Sequence, residues 1–188
     1  MIEFLYSIDI FIFFLINHAI ANPVFDLIMP FLTDLNKNRP VLIILAGFVG
    51  YLLWTGGKTG RITIGLLIVT VIISDQINSS FLKEIFGRIR PCRTLEGVRL
   101  LVDCGGGLSF PSSHAVNNFA AASVISHFYR NQKWFWFSFA ATVAVSRTYV
   151  GVHYPSDILV GSIVGIAIGL LVITLWKYVN TKFNIINF

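Results

Sequence analysis

Charge is scarce in this chain. Asp, Glu, Lys and Arg make up 12% of its 188 residues, while 55% are hydrophobic. A soluble domain carries roughly twice that charged fraction. The surplus apolar side chains need something other than water to face, which excludes an ordinary soluble domain and points to one membrane-embedded domain over residues 1–188. Acidic residues are the rarer sign, nine against fourteen basic, for a formal charge of +5. No basic run with interleaved polar residues occurs, so nucleic acid is not an expected partner. On a membrane protein the surplus speaks to topology and anionic headgroups. A positive n-region with a small-residue cleavage site is missing, so no signal peptide is expected. His, Cys and Asp do not cluster at metal-ligand spacing, and the expected chemistry uses no metal and no cofactor. Cysteine occurs only twice, at Cys92 and Cys104.

What the chain does have is long apolar segments. A spanning helix needs about 20 mostly apolar residues. Ile158 to Trp176 fits best, with no charge inside it and Lys177 just beyond. Val41 to Thr55, Ile62 to Leu82, Ala115 to Tyr129 and Trp134 to Ser146 follow; the last opens on aromatics, as an interfacial end should. Phe4 to Ile20 is apolar but short and holds Asp9, Asn17 and His18, so it either spans or lies in the interface. Asn22 to Leu35, with Pro23 and Pro30, reads as an interfacial connector. The expected fold is all-α, an integral membrane bundle of about six transmembrane helices. Gly161, Gly165 and Gly169 recur every four residues in the last helix, where they would let a neighbouring helix approach closely.

Alternating these helices puts Lys58, Arg61, Arg130, Lys133, Lys177 and Lys182 on one side with no Asp or Glu. The positive-inside rule makes that side cytoplasmic. The opposite side receives residues 36–39, 83–111 and 150–157, where Glu84, Glu96 and Asp103 are mixed with the basic residues. Cys92 and Cys104 lie there too. In an oxidising compartment they could pair; two free thiols are the other reading, because spacing does not fix the Cα separation.

Three blocks on that side carry chemistry: KEIFGRIRP (Lys83 to Pro91), PSSH (Pro111 to His114) and SRTYVGVHYPSD (Ser146 to Asp157). Lys83 and Arg90 would share one face, about 10 Å apart, if the helix persists, although Gly87 and Pro91 suggest that it ends nearby. A guanidinium with an ammonium suits phosphate oxygens, although a snorkelling pair at a helix end is the plainer reading of these two alone. PSSH precedes a helix. Pro111 suits a first turn, Ser112 and Ser113 offer a cap, and the unpaired N–H groups of a helix start would face an anion beside His114. HYPSD repeats the arrangement. Asp157, four residues after His153, can accept from one imidazole nitrogen, which fixes the tautomer and leaves the other nitrogen nucleophilic. Arg147 adds a third cation. Cations around an imidazole nucleophile and an imidazole acid are what phosphoryl transfer needs. Asp75, an intramembrane carboxylate, either lines a cavity below Lys83 or makes an interhelical hydrogen bond. His127 is about 20 Å along its helix from His114, too far to join. Asp9 and His18 read as packing or interfacial residues; Arg88, Arg93 and Arg99 could meet an anionic headgroup, although each singly reads more plainly as a solvated loop charge.

The order and spacing K-x6-RP, PS-x-H and SR-x5-H-x3-D resemble the type 2 phosphatidic acid phosphatase family. The resemblance implies a six-helix membrane bundle with its site near the outer surface. His153 would be the nucleophile that carries a phosphohistidine, His114 the acid for the leaving oxygen, and Asp157 the group that orients His153. Lys83, Arg90, Arg147, Ser112 and backbone N–H groups near Ser113 would hold the phosphoryl oxygens. The implied partner is a membrane lipid phosphate: lipid A 1-phosphate, undecaprenyl diphosphate or phosphatidylglycerophosphate. No obligate protein partner is expected, and the implied location is a bacterial inner membrane with the site facing the periplasm. A phosphotransferase on the same scaffold is the alternative. A vanadate-dependent haloperoxidase shares the anion site but is typically soluble, and an anion channel would not need His153 beside Asp157. Ser113 departs from the family, which usually has glycine there. The backbone N–H survives the change, and a modest steric difference beside the phosphate is what it brings into question.

Overall fold

The computed structural model describes residues 2–186, and among them the chain is all helical. The helices are α1 (Ile2–Phe14), α2 (Pro23–Thr33), α3 (Arg39–Thr55), α4 (Gly57–Ile77), α5 (Lys83–Phe86), α6 (Pro91–Thr94), α7 (Ser113–Phe128), α8 (Lys133–Tyr149) and α9 (Pro155–Phe183). Helix starts follow from local chemistry. Asn22 accepts from the N–H groups of Val24 and Phe25 at 3.0 Å each, and Pro23 follows where no donor is needed. Asn38 caps α3 in the same way. The segment expected as a connector after α1 is therefore a helix. It departs from α1 at 117°, after a π-helical turn over Leu15–Ala19.

Two helical runs are long and apolar enough to cross a membrane, Gly57–Thr94 and α9, with a third if the bent pair of α1 and α2 forms one span. Helices α3, α7 and α8 have 16 or 17 residues. That is short of the ~20 a perpendicular crossing uses, so length and apolarity alone do not reach six spans. The outer faces are greasy nonetheless: Ile43, Ile44, Trp54, Leu159 and Ile163 are all exposed. Hydrocarbon chains are the environment that makes such a surface stable, and the protein is an integral membrane protein.

Close contact between α7 and α9 sets the position of everything else. Helix α7 contributes small buried residues, Ala115, Ala120 and Ser123 among them, and α9 contributes the glycines. A Cβ on Gly161 would lie 2.9 Å from the Ser112 carbonyl oxygen, and one on Gly165 would lie 2.3 Å from that of Val116. Backbone meets backbone along this seam, which aligns the starts of the two helices. Ser112 N–H donates to the Asp157 carbonyl at 3.1 Å across it.

The helix after Lys83 ends early, as Gly87 and Pro91 suggest. Lys83 and Arg90 do not share a helix face, because α5 stops at Phe86 and Gly87 turns the chain with φ +57°, a left-handed conformation that suits glycine. The chain then crosses to α6, where a disulfide joins Cys92 to Cys104 with Cα atoms 6.2 Å apart.

Candidate active site

The site is assembled at one end of the bundle, where α4–α5, α7 and α9 begin or end. Between α8 and α9 the chain turns at Gly151, whose φ is +91° and whose Cβ, if present, would lie 2.7 Å from the Arg99 carbonyl oxygen. That turn delivers His153, which is 1% exposed, one residue ahead of the cap of α9. Asp157 lies on the first turn of α9 and its side chain takes four donors. Its Oδ2 accepts from His153 Nδ1 at 3.2 Å, from the Tyr154 N–H at 2.9 Å and from the Ser109 hydroxyl. Its Oδ1 accepts from Arg88 Nη1 at 2.8 Å. Burial pushes the His153 imidazole down to about 4, with Arg147 and Arg90 adding to the shift and Asp157 opposing it. The ring is thus neutral near pH 7. With the Nδ1 proton given to Asp157, its Nε2 keeps a free electron pair.

Loop carbonyls hold the first two cations. Lys83 Nζ donates to the Leu108 carbonyl at 2.6 Å, and Arg90 Nε donates to the Gly107 carbonyl at 2.9 Å. Adjacent carbonyls therefore do what a shared helix face was expected to do. Arg147 is buried, and its Nη1 donates to Thr33 Oγ1 at 2.9 Å. Its Nε and the buried hydroxyl of Ser112 make no hydrogen bond among the described residues. Arg147 and Arg90 act electrostatically on both His114 and His153, and Lys83 senses Arg90, Arg147 and Asp157. The structure thus brings His114, His153, Asp157, Lys83, Arg90, Arg147 and Ser112 to one place. Ser113 is there too, and its hydroxyl accepts from Asn78 Nδ2 at 2.8 Å. The hydroxyl that replaces the usual glycine hydrogen has a partner on the chain leaving α4.

Of the other residues, Asp75, His127 and Arg93 meet an expected reading and Arg99 does not. Asp75 accepts from Asn117 Nδ2 at 3.4 Å, an interhelical hydrogen bond. Arg99 is not a solvated loop charge: it makes a two-pronged contact with Asp26 at 2.7 and 2.8 Å. Arg93 remains exposed, bonded to the Gly105 carbonyl. His18 meets the Gly97 carbonyl at 2.8 Å. His127 lies beside Arg130 and Lys177, at the other end of α7. Arg88 and Asp9 are the main omissions. Arg88 Nη2 donates to Asp9 Oδ2 at 2.6 Å while Nη1 holds Asp157. The available signal was Asp9 itself, a carboxylate in an apolar segment, which is costly without a partner.

An integral membrane bundle thus gathers a buried His–Asp pair, a second imidazole and three cations at one end, the kinds of group that phosphoryl transfer uses. The family follows from comparison: the description of the PAP2 superfamily matches residues 64–181, a stretch that contains all three blocks, and the chain belongs to that family. The lipid A 4'-phosphatase of Bacteroides thetaiotaomicron is 31% identical over 177 residues, covering 88% of this chain and 75% of that protein. The lipid A 4'-phosphatase of Porphyromonas gingivalis is 33% identical over 136 residues, 66% of this chain and 56% of that protein. The chain thus spans little more than half the length of the second relative. The crystal structure of Aquifex aeolicus LpxE is similar at a TM-score of 0.70 and 28% identity, covering 88% of this chain and 94% of that one.

Proposed function

We propose that this protein is a single-domain, metal-independent lipid phosphatase that works through a phosphohistidine. One observation carries the reading: a buried neutral His153, bonded to Asp157 at 3.2 Å, sits among Lys83, Arg90 and Arg147. His153 Nε2 attacks phosphorus, and the bond from phosphorus to the lipid oxygen breaks. His114, protonated once the anionic phosphate lies beside it, gives that oxygen its proton. Water then attacks the phosphohistidine and gives a proton back to His114, releasing inorganic phosphate and restoring His153. Lys83, Arg90 and Arg147 neutralise the phosphoryl oxygens, which is most of what this transfer asks of a protein. The Ser112 hydroxyl and Arg147 Nε, idle within the protein, become phosphate donors, and the N–H of Ser113 joins them at the start of α7.

The substrate is a phosphomonoester or diphosphate on a membrane lipid. The names of the two relatives favour lipid A, and they put the 4'-phosphate beside the 1-phosphate as a candidate; undecaprenyl diphosphate and phosphatidylglycerophosphate complete the panel. Phosphate release is to be measured on all of them with excess EDTA. Turnover is expected to survive the chelator undiminished. Activity that vanishes with EDTA and returns with Mg²⁺ would end the metal-free scheme, and transfer to a second lipid without free phosphate would make the protein a phosphotransferase.

The same reading makes α1, α3, α4, α7, α8 and α9 six spans and puts the site on the periplasmic side of a bacterial inner membrane. The disulfide between Cys92 and Cys104 suits an oxidising compartment. After mild reduction, a membrane-impermeant thiol reagent added to intact cells is expected to label both cysteines. Labelling only after lysis would reverse the orientation.

A further inference from the structure

Arg88 has no part in the scheme above, yet its guanidinium is the most fully engaged cation near the site. One nitrogen serves Asp157 Oδ1 at 2.8 Å and Ser156 Oγ at 2.6 Å, and the other serves Asp9 Oδ2 at 2.6 Å. The plane lies over the Tyr154 ring, with Cζ 3.7 Å from its centroid. Asp9 also reaches the start of α9 directly: its Oδ1 accepts from the Ser156 N–H at 2.8 Å and its Oδ2 from the Ser156 hydroxyl at 2.5 Å. A helix start leaves its first N–H groups without intrahelical partners, and here a carboxylate from another helix satisfies one.

We propose that Asp9 and Arg88 are positioning residues for the nucleophile: α1 supplies the carboxylate that fixes Arg88, and Arg88 fixes the Asp157 carboxylate against His153. This rests on the phosphatase reading. The geometry gives each oxygen of Asp157 its own task, Oδ1 toward Arg88 and Oδ2 toward His153. With Oδ1 held, the carboxylate has no freedom to rotate, and the imidazole keeps one orientation. Arg88 does not read as a fourth phosphate ligand, because two carboxylates take both of its terminal nitrogens. Asp9 does more than fill space. Phe4, Leu5 and Phe11 of α1 are exposed, and a cleft of about 570 Å³ lined by Leu5, Ile8, Phe119 and Leu159 separates part of α1 from its neighbours. The polar contacts of Asp9, with the Phe13–Tyr154 ring contact, tie α1 to the start of α9.

The test uses full-length protein in nanodiscs. Asp9→Asn keeps the shape and removes the charge; Asp9→Glu keeps the charge. Asp9→Asn and Arg88→Gln are each expected to lower kcat about 10- to 100-fold, the usual scale for partners that orient a reacting group, with KM changed less than about twofold. Asp9→Glu is expected to restore most of kcat, and the double variant is expected to be no worse than Arg88→Gln alone, since the two act in series. Rates are normalised to the monodisperse protein recovered by size-exclusion chromatography, so a loss of folded protein does not register. Independently of turnover, the Nδ1 proton resonance of His153 is expected to shift in Asp9→Asn and return in Asp9→Glu. Wild-type kcat and an unmoved His153 signal in Asp9→Asn would overturn the proposal, as would additive losses in the double variant. A wild type that hydrolyses no lipid phosphate sinks the phosphatase reading instead, and the resonance still decides the positioning claim.

Discussion

His153→Ala is expected to abolish phosphate release, by something on the order of 10⁴- to 10⁶-fold, the scale on which groups acting as a unit fail when the nucleophile goes. The expectation has two structural sources. His153 is neutral because it is buried, and its Nδ1 is committed to Asp157, so only Nε2 faces the chemistry. No other imidazole is placed to substitute. His114 occupies the start of α7 among the same cations, and its replacement by alanine is expected to cost less, about 10²- to 10⁴-fold, as suits a general acid. The leaving group separates the two roles. An aryl phosphate whose phenolate leaves unprotonated is expected to rescue much of the activity of His114→Ala and none of that of His153→Ala. Rescue of both, or of neither, would exchange or dissolve the assigned roles. Acid-labile phosphoprotein is expected in the wild type and in His114→Ala with the aryl substrate, and not in His153→Ala.

Gly165→Ala is expected to damage the protein almost as badly without touching the chemistry. Two effects oppose each other. Alanine favours a helix over glycine by about 1 kcal/mol. Against that, the added methyl would lie 2.3 Å from the Val116 carbonyl oxygen and 3.1 Å from the Ala120 nitrogen. Backbone atoms in a packed seam cannot step aside, and overpacking of this kind costs about 1–3 kcal/mol or more. The clash wins, α7 and α9 separate, and His114 moves away from His153. Thermal midpoint and kcat should fall together. Gly47→Ala is the control: open space surrounds its Cβ position, so only the propensity gain operates and stability is expected to hold or rise. A Gly165→Ala protein as stable as wild type would mean that the seam is looser than described.

Helices α3, α4, α7, α8 and α9 were legible in the sequence because each is an apolar run closed by proline, glycine or charge, and the four-residue interval from His153 to Asp157 placed two side chains one turn apart. Three things were not legible. Gly87 and Pro91 signalled that the helix after Lys83 would end, but not that the carbonyls of Leu108 and Gly107 would hold Lys83 and Arg90. No periodicity encodes that, since it depends on a loop folding back. The ion pair between Arg88 and Asp9 joins residues 79 apart in the chain; each alone resembles a stray charge. The bend between α1 and α2 hid in a segment whose two prolines suggested irregular chain, although Pro23 starts a helix and Pro30 lies inside one. Burial energetics could have helped. A carboxylate in an apolar stretch calls for a cation, a rule applied to Asp75 but not to Asp9.

Asp157 both accepts from the N–H of Tyr154, the cap residue of α9, and anchors His153. Helix α9 has 29 residues, roughly 43 Å of rise against about 30 Å of hydrocarbon. The His153–Asp157 pair is thus mounted at the tip of an overlong mast, whose surplus of roughly 13 Å has to be taken up by tilt or by projection beyond the acyl chains.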